Sequence, residues 1–224
     1  YACHNNGFIF AVNNHIWVGL NLILLFGSDY LKDKYLQKMV DGEWIGAMCI
    51  SEADAGSDAR AMRTKAELTE NGFRLSGTKA FVSNGVVADV FVVFAKCQYN
   101  GAERIGAFIV DKKLEGVHIG KNMEKMGLDS CLMSEVHFNN CEIPIANVLG
   151  DIDAGENIMK SALEWERCFE FASHLGTMKR VMEACVKQAQ QRKQFGHLLS
   201  EYQAVTHKIA DMRMKMELGR LLLW

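Results

Sequence analysis

The hydrophobic period of this chain changes twice, and these changes limit the possible folds more than any other feature. Residues 13–40 show the apolar spacing of amphipathic helices, and residues 44–150 show short apolar segments separated by turn sequences. From about Glu156 the helical spacing returns. Short strands separated by turns are typical of an antiparallel sheet rather than of alternating strands and helices. The sequence therefore predicts an α+β chain with helices, a β domain and helices again.

The first region predicts two helices. Asn13 or Asn14 can cap the first helix, and Gly27 can end it. Ser28 can cap the second helix. The predicted core face of that second helix consists of residues spaced by four: Leu31, Tyr35 and Met39.

Two long helices are predicted after the β domain. The apolar stripe of the first runs over residues 158–189, and a break falls near residues 195–196. Ser200 and Gln203 fit an S-x-x-Q capping box that would start the second helix. Apolar stripes of this length need partner helices, which the N-terminal helices, helices beyond this chain or another subunit could supply.

Charge, cysteines and hydropathy restrict the partners and the compartment. Lys and Arg total 25 against 27 Asp and Glu, which disfavours a nucleic-acid partner. The seven cysteines show no zinc-ligand spacing, so we expect reduced thiols, no metal and a cytoplasmic protein. The longest apolar run, residues 16–26, is shorter than the roughly 20 residues that a membrane span needs. Because the chain lacks an initiator Met and stops inside an apolar helical pattern, we expect a fragment without either end.

Short motifs occur along the chain in a characteristic order. They are CISEADAGSD at residues 49–58, GTKAFVSN at 77–84, KMGLDS at 125–130, IPIANVLG at 143–150, RKQFG at 192–196 and YQ at 202–203. This series resembles the acyl-CoA dehydrogenase family of flavoproteins, and the resemblance spans nearly the whole chain. It implies the end of an N-terminal helical domain at 1–43, a middle antiparallel β domain at 44–150, and the truncated start of a C-terminal long-helix bundle at 151–224.

The resemblance implies an FAD cofactor and assigns residues to its flavin ring. The expected contacts are, in chain order, Met48, Ile50, Ser51, Phe81, Val82 and Ser83. Phe81 stands where the family has a tryptophan, and a phenylalanine still stacks but presents less area and no N–H. Ala53 stands where the family has a proline, which alters the stiffness of the loop rather than the chemistry.

Other residues match positions that contact a second subunit or the substrate. Arg192, Phe195 and Gln203 resemble residues that reach the FAD of a neighbouring subunit, which implies a homodimer or homotetramer. The guanidinium fork of an arginine suits a pyrophosphate. For Gln203 the local capping role remains an alternative. Ser57 and Arg167 match positions that contact the substrate.

The reaction implied by the resemblance is α,β-dehydrogenation of an acyl thioester. A carboxylate removes the α proton, and hydride passes to flavin N5. Some family members, such as isovaleryl-CoA dehydrogenase, place that glutamate on the long helix in an L-x-x-E-R sequence, and LEWER at residues 163–167 matches it. Glu166 is therefore the base candidate. The alternative is that Glu166 pairs with a nearby cation and that the base lies beyond this chain.

The motifs are most similar to family members from natural-product gene clusters, which oxidise acyl groups tethered to a carrier protein. Free acyl-CoA shares the phosphopantetheine thioester and stays open as a substrate. The expected electron acceptor is an electron-transfer flavoprotein or O₂. Two other functions are possible on this fold. One is a flavin monooxygenase or oxidase, and the other is a catalytically silent homologue that acts as a binding subunit.

Overall fold

The computed structural model describes residues 3–223 as two compact units. One unit consists of residues 5–166, and the other of residues 167–223 together with residues 3–4. The first unit contains the N-terminal helices, the whole large sheet and the first turns of a long helix. The second contains the rest of that helix, a short hairpin and a final helix.

The first unit begins with one continuous helical stretch. It comprises α1 (Asn6–Asn13), a π-helical segment (Asn14–Leu20) and α2 (Asn21–Phe26). Asn5 caps the start, because its side chain accepts a hydrogen bond of 2.9 Å from the N–H of Phe8. The prediction that Asn13 or Asn14 caps this helix is therefore wrong. Both residues have right-handed helical angles and lie inside it.

This helical stretch is the one candidate membrane span among residues 3–223. Residues 6–26 have a mean hydropathy of 1.6 in their most apolar window, and 33% of that window is buried within the protein. Leu22 and Ile23 of α2 are completely buried against the sheet. A core helix and a signal sequence near the N-terminus meet the same criteria of length and composition, so this stretch is weak evidence for a membrane span.

The second predicted helix forms where the sequence placed it. This helix, α3 (Asp29–Val40), starts at Ser28, whose hydroxyl accepts a hydrogen bond of 3.4 Å from the N–H of Leu31. Its predicted core face is confirmed, because all three residues are buried: Leu31, Tyr35 and Met39. Beside this face, Lys34 Nζ and the Tyr35 hydroxyl both donate to Asp111 Oδ2, at 3.1 and 3.0 Å.

A single mixed sheet of seven strands forms the middle of the chain. Its strands are β1 (Gly46–Cys49), β2 (Lys65–Thr69), β3 (Gly72–Ser83), β4 (Val90–Tyr99), β5 (Ala102–Asp111), β6 (Val117–Ile119) and β7 (Met133–Pro144). The order is β1-β4-β2-β3-β7-β6, and β5 pairs with the other edge of β4. Most pairings are antiparallel, but β1 and β2 both run parallel to β4.

The central strand β4 is buried on both faces, which explains its continuous apolar sequence. Phe91 and Val93 face a cluster formed within the sheet, whereas Val92 and Phe94 face a second cluster covered by helices. The helices contribute side chains from α2, from α3 and from the first turns of the long helix α4 (Gly155–Gln191), such as Ile158. The start of α4 is thereby fixed against the sheet.

The second unit continues α4 and then reverses direction. The predicted break is confirmed, because α4 ends at Gln191 and a hairpin follows, β8 (Lys193–Gln194) with β9 (His197–Leu198). The last helix is α5 (Gln203–Leu221), and Tyr202 occupies its N-cap position without a side-chain cap. The capping-box interpretation of Ser200 and Gln203 is therefore wrong. Ser200 lies in a separate 3-10 turn.

The predicted domain limits at residues 43 and 150 stay predictions. Residue 43 falls between α3 and β1, and residue 150 falls between β7 and α4. Within residues 3–223, no cysteine forms a disulfide, and no group of three or more His, Cys, Asp or Glu side chains is arranged to hold a metal ion.

Gly72 is a position where any side chain should destabilise the first unit. Its φ is +154°, and an added Cβ would lie 2.0 Å from the carbonyl oxygen of Ile143. Strain and overpacking together should make Gly72→Ala cost about 3 kcal/mol in the free energy of unfolding, measured by urea titration. Gly101 is the matched control, since its φ is +78° but nothing lies within 4 Å. Gly101→Ala should cost only the strain, and an equal loss in both variants would contradict the steric account.

Candidate functional site

Two of the sequence motifs meet at one place in the first unit. The loop after β1 carries Ile50 and Ser51, and β3 passes beside it. The N–H of Ala80 on β3 donates a hydrogen bond of 2.8 Å to the carbonyl oxygen of Ser51. Met48 lies in β1, two residues before Ile50, and both side chains are half-buried against the helix-covered cluster. The residues expected around the flavin ring therefore lie on two segments, about thirty positions apart in the chain, that come together here.

Phe81 is displayed by a β-bulge in β3. Lys79 pairs with Val136 and Val82 with Ser134, so β3 carries one more residue than β7 across this interval. Phe81 adopts a left-handed backbone with φ +56° and is 61% exposed. A bulky residue in that region is strained, and such strain concentrates at ligand-binding sites.

The residues that follow Phe81 differ in burial. Val82 is buried within the sheet cluster, and its role as a cofactor contact stays a prediction. Ser83 is half-buried at the end of β3. Asn84 then turns the chain with φ +63°, and its Nδ2 donates a hydrogen bond of 2.8 Å to the carbonyl oxygen of Ala11 in α1.

A buried ion pair lies beneath the junction of the two motifs. The side chains of Lys79 and Glu52 are 0% and 8% exposed, and Lys79 Nζ is 2.9 Å from Glu52 Oε1. Glu52 also accepts hydrogen bonds from the Thr64 hydroxyl at 2.6 Å, the Thr64 N–H at 3.0 Å and the Arg63 N–H at 2.6 Å. Burial acts to raise the pKa of Glu52, but the hydrogen bonds from Thr64 and Lys79 outweigh it and lower the pKa to about 2. Glu52 is therefore ionised throughout the physiological range.

Sequence reasoning assigned no role to this pair. Both residues stand inside the quoted motifs, at residues 49–58 and 77–84. A lysine that directly precedes three apolar residues, 80–82, is the signal that could have drawn attention to Lys79. The partner could not be identified, because Lys79 and Glu52 are brought together by the sheet and not by local spacing.

The predicted base, Glu166, lies on α4 one turn after Ala162. Ala162 is completely buried, and Leu163 packs against the cluster that also receives Met48 and Ile50. Because residues three and four apart share a helix face, Glu166 lies on the side of α4 that carries Ala162 and Leu163. Glu166 is half-buried, whereas Glu164, about 200° around the helix, is exposed.

An aromatic stack fixes the turn of α4 that carries Glu166. The Trp165 ring lies parallel to the Trp17 ring of the π-helical segment, with centroids 5.6 Å apart and an interplanar angle of 6°. Offset parallel rings at this distance attract each other beyond the area they bury. Arg167, the predicted substrate contact, follows directly on α4 and is exposed. Ser57, the other predicted substrate contact, is exposed in the loop after Glu52.

The remaining predicted residues belong to the second unit. Arg192 follows α4, Phe195 lies at the tip of the β8–β9 hairpin, and Gln203 is the first residue of α5. All three are exposed, and Phe195 reaches 93%. Phe195 and Gly196 both have positive φ, the backbone of a type I′ turn. Phe195 thus repeats the feature seen at Phe81, an exposed aromatic ring on a strained left-handed residue.

The arrangement of the first unit suits a flat, partly apolar ligand with polar edges. It offers the exposed Phe81 ring for stacking and two serine hydroxyls, Ser51 and Ser83, for hydrogen bonds. It also offers a half-buried carboxylate, Glu166, on the adjoining helix.

Comparison with known proteins gives the same family for both halves of the chain. The family model described as the acyl-CoA dehydrogenase middle domain matches residues 47–141. The model described as the acyl-CoA dehydrogenase C-terminal domain matches residues 153–224. Together the two matches include every predicted site residue.

Individual relatives extend the similarity across the whole chain. An L-prolyl-(peptidyl-carrier protein) dehydrogenase of Pseudomonas fluorescens is 36% identical over 225 residues, an alignment that covers 100% of this chain and 59% of that protein. The solved structure of the prolyl acyl carrier protein oxidase AnaB superposes with a TM-score of 0.96 at 36% identity, covering 100% of this chain and 59% of that one. The FAD complex of PigA gives a TM-score of 0.94 at 34% identity, covering 98% and 58%.

The chain thus spans about three fifths of the length of the relatives that it matches. The family models and the near-complete superposition agree with the resemblance seen in the motifs and with the predicted order of helices, β domain and helices. The chain belongs to the acyl-CoA dehydrogenase family.

Proposed function

We propose that the protein to which this chain belongs is an FAD-dependent dehydrogenase that introduces an α,β double bond into a thioester-bound acyl group. The observation that carries the proposal is the junction of the two motifs. There Phe81, held exposed by a β-bulge, follows directly after the residue that hydrogen-bonds Ser51. An exposed aromatic ring on a strained backbone is costly unless a ligand covers it.

The residues at the junction fit a flavin. Phe81 can stack on one face of an isoalloxazine ring, and the Ser51 and Ser83 hydroxyls can reach its polar edge. Met48 and Ile50 supply apolar surface beside them. FAD, when bound, would supply the hydride acceptor. One similar solved structure is described as an FAD-dependent dehydrogenase and another as an FAD complex, and both support this choice of cofactor.

Glu166 is the proposed base. A carboxylate at this position would take the α proton of the thioester, and the β carbon would give up its hydride to the cofactor as the α,β double bond forms. Arg167 and Ser57 are proposed to hold the substrate, Arg167 through its guanidinium and Ser57 through its hydroxyl beside the pantetheine arm.

The proposed substrate is an acyl or aminoacyl group on the phosphopantetheine arm of a carrier protein. The relative in Pseudomonas fluorescens is described as acting on an L-prolyl group attached to a peptidyl-carrier protein, and AnaB as an oxidase of a prolyl carrier protein. Acyl-CoA shares the same thioester and arm, so both carriers belong in the test.

Product analysis tests this proposal. In this test, full-length protein is incubated with FAD, an artificial electron acceptor and a prolyl-carrier thioester. Mass spectrometry should then detect a thioester that has lost two hydrogen atoms. A product that has gained oxygen would replace the proposal with the monooxygenase function. A full-length, folded protein that binds a carrier protein but changes none of the acyl thioesters would indicate the catalytically silent subunit.

We further propose that the protein is a homodimer or homotetramer in which Arg192, Phe195 and Gln203 contact the FAD of a neighbouring subunit. O₂ or an electron-transfer flavoprotein is the proposed acceptor, and the cytoplasm the proposed compartment. A full-length protein that is monomeric by light scattering yet binds FAD tightly would contradict the assembly.

Removal of the Arg192 guanidinium tests the cofactor role of the second unit. Charge-assisted hydrogen bonds are worth about 1.5–3 kcal/mol, so Arg192→Ala should weaken FAD binding by about 10- to 100-fold. Fluorescence titration of the flavin-free full-length protein measures the dissociation constant. Lys187→Ala removes an exposed cation from the last turns of α4, just before Arg192, and should leave the constant unchanged. Unchanged FAD binding in Arg192→Ala would contradict the assignment.

A further inference from the structure

The two segments proposed to contact the flavin ring share no strand pairing. The β1 strand pairs with β4, whereas β3 pairs with β2 and β7. No ladder of backbone hydrogen bonds therefore fixes Ser51 relative to Phe81. Their relative position depends instead on the hydrogen bonds that join β3 to the loop that follows β1. Within residues 3–223, the only backbone hydrogen bond among these is the one from the Ala80 N–H to the Ser51 carbonyl oxygen.

Lys79 supplies the other contacts from β3. Its ammonium donates to the carbonyl oxygen of Ile50 at 2.9 Å and to the carboxylate of Glu52 at 2.9 Å. Ile50 and Glu52 are the residues immediately before and after Ser51. One ammonium, two positions before Phe81, therefore holds the backbone on one side of Ser51 and the side chain on the other.

Glu52 is in turn anchored at the start of β2. The Thr64 hydroxyl, the Thr64 N–H and the Arg63 N–H all donate to its carboxylate. With Lys79 the carboxylate receives hydrogen bonds from four donors, which fixes its orientation. The loop carrying Ser51 is thus joined to β3 and to the residues that lead into β2.

We infer that Glu52 and Lys79 are positioning residues for the cofactor ring, which set the place of the Ser51 loop relative to Phe81 and Ser83. This inference rests on the proposed function. Neither side chain needs to touch the ring, because Lys79 is completely buried and Glu52 nearly so. A buried ion pair is a weak source of stability compared with apolar side chains of similar size. A positioning role explains why two charges are held inside the protein at this point.

A double variant separates positioning from stability. Glu52→Gln with Lys79→Met removes both charges and leaves no unpaired buried ion, so the full-length protein should fold with a melting temperature near that of the wild type. We expect its FAD dissociation constant to rise by about tenfold or more, with shifted visible bands of the bound flavin. Tyr35→Phe is the matched control. This variant removes the hydrogen bond from the Tyr35 hydroxyl to Asp111, which takes no part in holding the Ser51 loop. It should lower stability without changing FAD affinity or the spectrum of the bound flavin.

Thr64→Val gives an independent test in case the double variant does not fold. It removes one donor to Glu52 and leaves the ion pair in place, so a several-fold weaker FAD affinity and a smaller shift of the visible bands are expected. The inference would be overturned if the folded double variant bound FAD with wild-type affinity and an unshifted spectrum. If the double variant does not fold, the same result in Thr64→Val would overturn it. A full-length wild-type protein that takes up no flavin would instead overturn the proposed function.

Discussion

Replacing Glu166 by glutamine is expected to lower the rate of thioester oxidation by about 10²- to 10⁴-fold, the usual contribution of a general base. Glutamine keeps the shape and the hydrogen-bonding reach of the side chain but cannot take a proton. The dissociation constant for FAD should stay near that of the wild type, because Glu166 is assigned no contact with the cofactor. The measurement is the rate of flavin bleaching after anaerobic mixing of the full-length protein with its thioester.

Two neighbours on α4 provide matched controls for this prediction. Glu164→Gln removes an exposed carboxylate from the opposite side of the helix and should leave the rate unchanged. Glu170→Gln tests the carboxylate one turn further along. A wild-type rate in Glu166→Gln would contradict the assignment, and a loss confined to Glu170→Gln would move the base by one turn.

Breaking the buried ion pair on one side is expected to have the largest effect on stability. Glu52→Gln leaves the ammonium of Lys79 buried without its carboxylate, and the free energy of unfolding should fall by about 3 kcal/mol or more. Urea titration of the flavin-free full-length protein measures this loss, since a bound ligand would add its own stability. The exposed pair of Arg74 and Glu142 is the control, and Glu142→Gln should change stability little.

The same carboxylate makes the folded protein sensitive to acid. Its pKa falls from an ordinary value of 4.5 to about 2 in the folded state, so protons bind the unfolded chain more readily than the folded one. The stabilisation is therefore complete above about pH 4.5 and is lost as the pH falls from there toward 2. The Glu52→Gln variant should show a shallower loss of stability across this interval. Equal slopes in variant and wild type would contradict the assignment of Glu52.

Sequence periodicity predicted the helix faces that pack against the core. Leu31, Tyr35 and Met39 are buried because residues four apart share a helix face, and that spacing is visible in the sequence. The start of the first helix was not predictable in the same way, since Asn5 and Asn13 are equally good caps and only packing selects the earlier one. The π-helical segment at Asn14–Leu20 has no distinct sequence signal.

Non-local pairing and backbone strain account for what the sequence did not predict. The parallel pairing of Gly46 with Val90 joins residues far apart in the chain, and apolar alternation carries no information about partner or direction. The left-handed backbones of Phe81 and Phe195 contradict the preference of a bulky residue, so no propensity argument would place them there. Family resemblance selected both phenylalanines, and their exposure on strained backbone supports the proposal that they face a ligand.

The measurement that tests the central claim most directly is the visible spectrum of the full-length protein under anaerobic conditions, recorded before and after addition of a prolyl-carrier thioester. We expect an oxidised flavin band that bleaches on addition, with acyl-CoA thioesters as the parallel comparison for the choice of carrier. A flavin band that neither thioester bleaches would contradict dehydrogenation. A folded full-length protein without any flavin band would contradict the cofactor assignment itself.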